Sequence, residues 1–304
     1  MQNIKNSNIF FIDEINNLAK CDTDLLINMG ESMYNSQISE LVKNILEKET
    51  IKIIFLAGPS SSGKTTTSKL IAKELKKYNK NSIFVSLDDF FLDREKTPKL
   101  SNGNYDFESI NALDLKTFNS FINDLLTTNT AQMPRFNFIT GKREKTLEKI
   151  IVDKNTIIII EGLHALNPNL IKNHVKEIYK IYICAHSCFK LNDKILIDGT
   201  QIRLMRRLIR DYYSRGRQIQ DTFNSWDEVI NGEKIYIEPY KNRADYLVDS
   251  THMYEPLLYA KYLMPLLNYN SKKSKEFKEI LKHFEILDKS YIPKNSLLNE
   301  FIAF

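Results

Sequence analysis

The chain has 304 residues, 42% of them hydrophobic, which is enough to bury the core of one large α/β domain or two small ones. Its 43 basic and 38 acidic residues leave a formal net charge of only +5, and so small and mixed a charge argues against nucleic acid as the main partner. No stretch reaches the ~20 apolar residues of a membrane span and the first residues lack the apolar run of a signal peptide, so we expect a cytoplasmic protein that binds no membrane.

The first part of the chain carries apolar residues at helical spacing. Phe11, Ile15 and Leu18 illustrate the repeat, which continues as far as Ile45 with a single glycine, Gly30, in between. Residues 1–50 are therefore predicted to form a helical lead-in.

Five short apolar runs follow, and each ends in a turn that carries polar residues. Because these runs are apolar on both faces, they are typical of buried parallel strands; they cover 51–58, 82–89, 156–162, 178–186 and 244–250. Helical patterns separate most of them, at 65–78, 113–126, 200–213 and 255–267. This order predicts a doubly wound, mostly parallel α/β sheet in a central domain over 51–270, with a helical extension over 271–304 packed on it.

The turn after the first of these strands matches the pattern G-x-x-x-x-G-K-[ST], which marks a phosphate-binding loop (P-loop) when it joins a strand to a helix. Backbone N–H groups of such a loop surround the phosphates, Lys64 reaches the outer phosphates, and the Thr65 hydroxyl ligates magnesium. The predicted ATP-binding residues here are Gly58, Pro59, Ser60, Ser61, Ser62, Gly63, Lys64, Thr65 and Thr66. The alternative is a glycine-rich turn without a ligand.

Acidic residues follow two of the other predicted strands. Ligands of an open α/β sheet lie at the carboxyl ends of its strands, and there the chain has Asp88, Asp89 and Glu161. Alternation along a strand points Asp88 and Asp89 in opposite directions, so one of them is expected to face the phosphates. A carboxylate in that place can take the proton of an acceptor hydroxyl, and Glu161 and Asp88 are candidate magnesium ligands beside Thr65. The alternative is that these acids cap the turns that follow.

A cluster of arginines lies on the predicted helix after residue 200. Arg203, Arg207 and Arg210 share one helical face, and Arg215 and Arg217 flank Gly216 just beyond. In a chain with a P-loop, arginines on a closing segment neutralise the charge of the transferred phosphoryl group, so we predict a lid at about 206–232 with Gly216 as its hinge. A solvated surface is the alternative.

Seven short runs together carry a resemblance to a known family. They read "GPSSSGKTT", "SLDDFF", "YDFES", "PRFNFITGKRE", "IIIIEGLHAL", "RRLIRDYYSRGR" and "EPYKNRADYLV". Taken together they resemble the uridine kinase branch of the uridine kinase and phosphoribulokinase family. The whole chain is most similar to bacterial nucleoside kinases in which such a kinase follows an N-terminal TGS module, and we expect that module to be absent here.

The resemblance implies a role for each residue at a matching position. It makes Asp88 the carboxylate near the acceptor 5′-hydroxyl, and it makes Asp106 and Arg207 the residues that approach the ribose. The phosphates would be approached by the lid residues Arg210, Arg215 and Arg217, of which the first two are candidate catalytic groups. Glu161 matches an acidic residue near magnesium, and the 238–245 loop, with Tyr240, would lie along the adenine.

The sequence departs from this family where the pyrimidine base is read. Uridine kinases have a tyrosine and a histidine in a pattern like Y-D-F-x-T-H, whereas residues 136–141 read "FNFITG". Phe136 replaces the tyrosine, and Phe91 replaces another familiar tyrosine after the catalytic aspartate. These two phenylalanines are therefore predicted to offer an apolar face to the acceptor without reading its base. The alternative is that neighbouring cations replace the missing contacts: Arg135, Lys142 or Arg143.

The leading hypothesis is an ATP-dependent, magnesium-dependent kinase for the 5′-hydroxyl of a uridine- or cytidine-like nucleoside, with base selection in doubt. A kinase for another hydroxylated metabolite is the second, and a nucleotide-responsive regulatory module without turnover is the third. A GTPase switch is disfavoured because the chain has no N-K-x-D and no D-x-x-G after the P-loop. The expected partner is a small-molecule acceptor, and a homo-oligomer is possible.

Overall fold

The computed structural model describes residues 8–99, 103–171, 175–268 and 271–302. The outermost parts of the predicted terminal segments, 1–7 and 303–304, lie outside the described residues. In chain order the helices and strands are β1 (Ile9–Phe11), α1 (Ile12–Cys21), α2 (Thr23–Leu46), β2 (Ile53–Ala57), α3 (Lys64–Lys76), β3 (Asn81–Ser86), α4 (Leu115–Thr128), β4 (Thr130–Met133), β5 (Phe136–Asn137), β6 (Lys142–Arg143), β7 (Glu148–Ile151), β8 (Thr156–Glu161), β9 (Ile178–Cys184), β10 (Cys188–Leu191), β11 (Lys194–Ile197), α5 (Gly199–Arg215), α6 (Ile219–Tyr236), β12 (Tyr246–Asp249), α7 (Glu255–Tyr262), α8 (Lys272–Leu281) and α9 (Asn299–Ile302).

The centre of the fold is a five-stranded sheet in the order β12-β9-β2-β8-β3, and every pairing in it is parallel. Each of the five predicted apolar runs forms one of these strands. All five residues of β2 are buried, because its two faces pack against two different hydrophobic clusters. Ile54 and Leu56 belong to one cluster, whereas Ile53, Phe55 and Ala57 belong to the other. The predicted doubly wound α/β fold is confirmed.

Three smaller sheets lie beside the central one, and the sequence analysis did not predict them. β1 pairs in parallel with β10, which pairs with β11, and the hairpins β4/β7 and β5/β6 are antiparallel. These strands are two to four residues long, and of the seven only β1 is apolar throughout. Strands this short hold too few residues for a periodic pattern to identify them.

Helix α2 packs against α3, the helix that follows the P-loop. The hydroxyls of Tyr34 and Thr67 are 2.6 Å apart in a buried hydrogen bond. Gly30 lies against the ring of Tyr254, where a Cβ atom would come within 2.8 Å of the ring, so α2 can approach this closely only with a glycine at that position. Among the described residues, no helix is both long and apolar enough to cross a membrane.

Candidate active site

The P-loop lies between β2 and α3 and depends on two glycines. A Cβ atom on Gly58 would lie 2.2 Å from the carbonyl oxygen of Ile183, so the loop can leave the sheet here only without a side chain. Gly63 has φ +89° and precedes the first residue of α3. Helix α3 therefore begins with its free N–H groups directed towards the loop, the arrangement that binds anions.

Lys64 is held by the loop that it follows. Its Nζ donates hydrogen bonds to the carbonyl oxygens of Gly58 at 2.8 Å and Pro59 at 3.1 Å. Burial lowers the pKa of Lys64, while the nearby carboxylates, Glu161 first among them, act in the opposite direction. The cation therefore lies among acids at the mouth of the P-loop, where an anionic ligand would complete its surroundings.

Asp88 and Asp89 lie in a 3-10 helix, Leu87–Phe90, because β3 ends at Ser86, earlier than the predicted strand over 82–89. The side chains of Asp88 and Asp89 nevertheless point to different places, as predicted for a strand. Asp88 lines the cavity that extends from the P-loop (the main cavity), whereas Asp89 pairs with Arg135 at 2.9 Å. Although Asp88 opens onto the cavity, the surrounding protein limits its hydration and raises its pKa, an effect that Lys64 partly opposes. Asp88 is thus the aspartate of the pair that faces the P-loop.

Glu161 is the last residue of β8, the neighbour of β2 in the sheet. The Thr65 hydroxyl donates to both of its carboxylate oxygens, at 3.2 and 3.3 Å. Burial raises the pKa of Glu161, and the Lys64 charge opposes this shift. Within the described ranges, no group of three or more His, Cys, Asp or Glu side chains could hold a metal ion by itself. The Thr65 hydroxyl and the Glu161 carboxylate are oxygen donors of the kind that magnesium takes, so the pair fits a magnesium ion whose remaining ligands would be phosphate and water.

A cavity of about 540 Å³ extends from the P-loop, a size typical of small-molecule sites. Its polar part is lined by Ser60, Lys64, Thr65, Asp88, Glu161 and Arg207. Its apolar part is lined by Phe91, Phe107, Phe136 and Phe138. The phosphate loop, the candidate base and an aromatic surface therefore share one cavity.

The four phenylalanines contact one another. The ring of Phe91 lies 5.6 Å from that of Phe136 and 6.1 Å from that of Phe107, and Phe136 and Phe138 meet edge to face at 5.1 Å. The predicted acceptor residues Phe91 and Phe136 thus lie together. Phe107 and Phe138 were not singled out from the sequence, although both belong to runs that carry the family resemblance. Their side chains are 38% and 60% exposed, so the aromatic surface is accessible to a ligand.

Asp106 contacts the end of α6 and does not itself line the cavity. The Tyr236 hydroxyl donates to its Oδ2 atom at 2.7 Å. The next two residues, Phe107 and Glu108, do line the cavity. The predicted ribose ligand therefore lies at the cavity's edge, held by an aromatic residue that sequence reasoning missed.

The lid arginines surround one buried carboxylate. Asp211 is only 1% exposed and lies 2.9 Å from Arg210, 3.3 Å from Arg215, 3.4 Å from Arg207 and 3.9 Å from Arg217. Arg207 also donates to the Ser60 hydroxyl at 3.0 Å, which brings it to the P-loop. Of these four arginines only Arg207 lines the main cavity; Arg210, Arg215 and Arg217 are held around Asp211 and do not line it.

Three other residues named from the sequence do not themselves line the main cavity. Arg203 is 2% exposed and pairs with Glu233 at 2.7 Å, so it is not part of a solvated arginine face. Gly216, at φ +64°, ends α5 at the junction with α6. Tyr240 lies in the 3-10 helix Glu238–Arg243 and packs against the cluster that contains Phe55. Its role in adenine binding stays a prediction.

The cations considered as replacement base contacts are used elsewhere. Arg135 pairs with Asp89 and Glu148, and Arg143 pairs with Asp114 at 3.0 Å. Lys142 is exposed and does not line the main cavity. The arginine that does line its apolar part is Arg94, which donates to the carbonyl of Phe138 at 3.0 Å. No spacing in the sequence marks Arg94.

His164 and Glu108 are two further cavity residues that sequence reasoning did not assign. His164 is 4% exposed and its Nε2 lies 2.9 Å from the carbonyl oxygen of Glu108. Burial lowers the pKa of His164 to about 4, so the ring is neutral at physiological pH. Both residues stand inside runs that carry the family resemblance, and that was the signal available in the sequence.

The chain is similar to proteins of one known family. The model of the phosphoribulokinase / uridine kinase family matches residues 53–255. A uridine kinase of Lactobacillus helveticus is 29% identical over 205 residues, which are 67% of this chain and 87% of that protein. A uridine kinase of Ligilactobacillus salivarius is 27% identical over 198 residues, 64% of this chain and 84% of that protein. The solved structure of a possible uridine kinase from Bacillus stearothermophilus covers 70% of this chain and 98% of its own, with a TM-score of 0.47 and 18% identity.

Proposed function

The chain belongs to the phosphoribulokinase / uridine kinase family and is a phosphotransferase with an alcohol acceptor, and we propose that it transfers the γ-phosphate of ATP to the 5′-hydroxyl of a nucleoside. The observation that carries the proposal is the single cavity shared by the P-loop, Asp88 and the phenylalanine cluster. A kinase needs its donor phosphate, a proton acceptor and the acceptor hydroxyl within one such space.

Asp88 is the proposed base. It shares the cavity with Lys64, and burial raises its pKa towards the range in which a carboxylate accepts a proton more readily. In this proposal Asp88 orients the acceptor hydroxyl and receives its proton as the oxygen attacks the γ-phosphate. Asp89, paired with Arg135 and the backbone N–H of Phe136, supports the loop that carries Phe136 instead.

Positive charge for the transferred group comes from two places. Lys64 lies at the P-loop, and Arg207 reaches the loop through its hydrogen bond to Ser60. Arg210 and Arg215 are held by Asp211 in this conformation, so their proposed catalytic contact requires the segment around Gly216 to move. Closure of a lid during turnover is a common property of kinases.

Magnesium belongs to the proposal, with Thr65 and Glu161 as its nearest protein groups. A bound magnesium ion supplies charge neutralisation to the β- and γ-phosphates. Asp88, in the same cavity, is a third oxygen donor that can act directly or through water.

The phenylalanine-lined end of the cavity supports a nucleoside acceptor. Its base would be bound mainly by stacking and only weakly by hydrogen bonds to its edge. The phenylalanine rings provide a face that is indifferent to the hydrogen-bonding edge of a base. Arg94 and Glu108 line the same cavity, and these two charged side chains favour, as a second candidate, another hydroxylated metabolite that carries polar groups.

Acceptor-dependent release of ADP from ATP and magnesium, measured over a panel of nucleosides and hydroxylated metabolites, tests the proposal. We expect ribonucleosides to stimulate release in the native protein and Asp88→Asn to remove the stimulation. Stimulation by sugars or hydroxy acids but by no nucleoside would favour the second candidate. Absence of stimulation by any acceptor, in a folded protein that binds ATP, would reject the kinase assignment.

A further inference from the structure

A carboxylate from the far end of the chain lies on the P-loop helix. Oε2 of Glu300 accepts a hydrogen bond from the backbone N–H of Thr66 at 3.1 Å and another from the Thr66 hydroxyl at 2.8 Å. The two residues are 234 positions apart, and Glu300 belongs to the short helix α9. Glu300 lies outside residues 53–255, the part of the chain that the family model matches.

The two Thr66 donors are of the kind that a P-loop uses for phosphate. Thr66 is the third residue of α3, so its N–H has no acceptor within the helix. The next N–H, that of Thr67, is already bonded to the carbonyl oxygen of Gly63 at 3.0 Å. Free N–H groups in the first turn after G-K-T are the ones that surround nucleotide phosphates. Glu300 therefore places an anion where a phosphate oxygen would bind.

Packing holds Glu300 in this place. Leu297 is fully buried against Gly63 of the P-loop, where a Cβ atom would come within 2.5 Å of a Leu297 methyl group. Phe301 is 1% exposed, and its ring centre lies 5.0 Å from the guanidinium carbon of Arg206. Arg206 in turn donates to the carbonyl oxygen of Ser61 at 3.3 Å. The residues on both sides of Glu300 thus contact the loop directly or through one side chain.

The charge of Glu300 extends into the site. It adds to the rise in the pKa of Glu161 and opposes part of the fall in the pKa of Lys64, although burial is the largest influence on each. A phosphate that entered the P-loop would meet this negative charge at close range. Two anions cannot share the Thr66 donors without strong repulsion, so one of them must leave.

We propose that Glu300 is a built-in competitor for nucleotide phosphate, and that nucleotide binds the P-loop only after α9 withdraws this carboxylate from Thr66. The segment that contains Leu297, Glu300 and Phe301 then sets nucleotide affinity, because only the fraction of molecules with Thr66 free can bind. This property concerns the nucleotide alone and is independent of which acceptor the enzyme uses.

Direct binding of ADP with Mg²⁺, measured by calorimetry without an acceptor, tests the competition. Glu300→Gln keeps the size of the side chain and an acceptor oxygen but removes the charge, so we expect its Kd for ADP to fall about tenfold. The control is Glu276→Gln, an exposed carboxylate of α8, which should leave the Kd within twofold. Adenosine, which has no phosphate, should bind both variants and the native protein equally.

Hydrogen exchange in the native protein gives a second measurement that needs no variant. Addition of ADP should speed exchange of the backbone amides of 297–302, because withdrawal of α9 from the P-loop removes the packing of Leu297 and Phe301 that protects them. If Glu300→Gln fails to fold, hydrogen exchange in the native protein tests the proposal by itself. An unchanged or weaker affinity of a folded Glu300→Gln for ADP, or slower exchange in 297–302 on binding, would overturn the proposal and leave Glu300 as a cap of α3.

Discussion

The hydroxyl of Tyr236 donates a hydrogen bond of 2.7 Å to the carboxylate of Asp106. Tyr236 is the last residue of α6, the helix that follows the arginine cluster, and Asp106 is the predicted ribose ligand. The hydrogen bond to Asp106 raises the pKa of Tyr236 to about 12, so the phenol stays protonated and remains a donor. This one contact links the lid region to the acceptor end of the cavity.

Replacement of Tyr236 by phenylalanine should weaken acceptor binding. Asp106 would lose the donor that orients it, and a hydrogen bond of ~0.5–1.5 kcal/mol corresponds to an increase in acceptor KM of about 2- to 12-fold. Steady-state kinetics should show kcat and ADP affinity nearly unchanged. Tyr213→Phe is the matched control, since the Tyr213 hydroxyl donates to the backbone of Tyr262 instead of a predicted ligand. An unchanged acceptor KM in Tyr236→Phe would separate Asp106 from acceptor binding.

The two adjacent aspartates should differ in kinetic effect. Asp88→Asn should lower kcat by about 10²-fold or more, the usual scale for loss of a general base, with little change in ATP affinity. Asp89→Asn should be milder in kcat, because Asp89 pairs with Arg135 and does not line the cavity. Single-turnover rates of both variants would compare them directly. Equal losses of kcat in the two variants, or a larger loss in Asp89→Asn, would show that Asp88 is not the base.

The pH dependence of activity should reflect the shifted pKa values of Asp88 and Lys64. Burial raises the pKa of Asp88, and the base works only when unprotonated, so kcat/KM should fall as pH drops through a value above the ~3.9 of a free aspartate. Burial lowers the pKa of Lys64, and phosphate binding needs its charged form, so activity should also fall as pH rises through a value below 10.5. Asp88→Asn should lose the acidic limb and keep the alkaline one. An acidic limb that persists in this variant would belong to another group.

Lys64→Ala should remove turnover while the protein stays folded. The side chain leaves the first residue of α3, is half-buried and donates to the loop carbonyls of Gly58 and Pro59, so its loss creates no large cavity. A fall in kcat of about 10²-fold or more is expected, the scale for removal of one group that stabilises transition-state charge. Lys69→Ala, on the exposed face of α3, is the control. A folded Lys64→Ala that keeps more than a tenth of native activity would refute the role.

The lid arginines should act on the rate more than on binding. Arg210→Ala and Arg215→Ala should lower kcat more than they weaken ATP binding, because these side chains lie at Asp211 and are proposed to reach the phosphates only when the lid closes. Measurement of kcat together with ATP affinity distinguishes the two effects. Lys234→Ala removes an exposed charge from α6 and should change neither quantity. A tenfold loss of ATP affinity with unchanged kcat would make the arginines ground-state ligands.

The sugar of the acceptor should matter more than its base. Asp106 and Arg207 are expected to hold the ribose diol, and a 2′-deoxy acceptor leaves a polar ligand unpaired at a cost of ~1–3 kcal/mol, or about 5- to 150-fold in kcat/KM. Stacking on Phe91 and Phe136 is worth only ~0.5–1.5 kcal/mol and does not read the base edge. A panel of ribo- and deoxyribonucleosides measures both effects. Preference for uridine over purine nucleosides by more than about a thousandfold would show that unidentified residues read the base.

Local sequence patterns were sufficient to predict the central sheet and the P-loop of this protein. The five strands of the sheet were predicted because each lies in a short, largely apolar run, and β2, in the middle of the sheet, is buried on both faces. The edge strand β3 was predicted by its run as well, although Phe84 on it is 48% exposed. The P-loop was predicted from the spacing of its motif in contiguous sequence. The positive φ of Gly63 is a requirement of the loop itself, whereas Gly58 is needed because the backbone of Ile183, on the neighbouring strand β9, lies too close for a Cβ atom.

Tertiary structure alone decided which distant groups meet. Glu300 on Thr66, Tyr236 on Asp106 and Arg135 on Asp89 are contacts between segments whose own sequences give no sign of the partner. The end of β3 at Ser86 decided which aspartate faces the cavity, although alternation along a strand was the expected reason. A single polar side chain has no periodicity, so its partner is set by the packing of the elements that carry it. The sequence therefore determines the phosphate machinery, whereas the state of the lid arginines around Asp211 and of the carboxylate on the P-loop depends on how the helices pack.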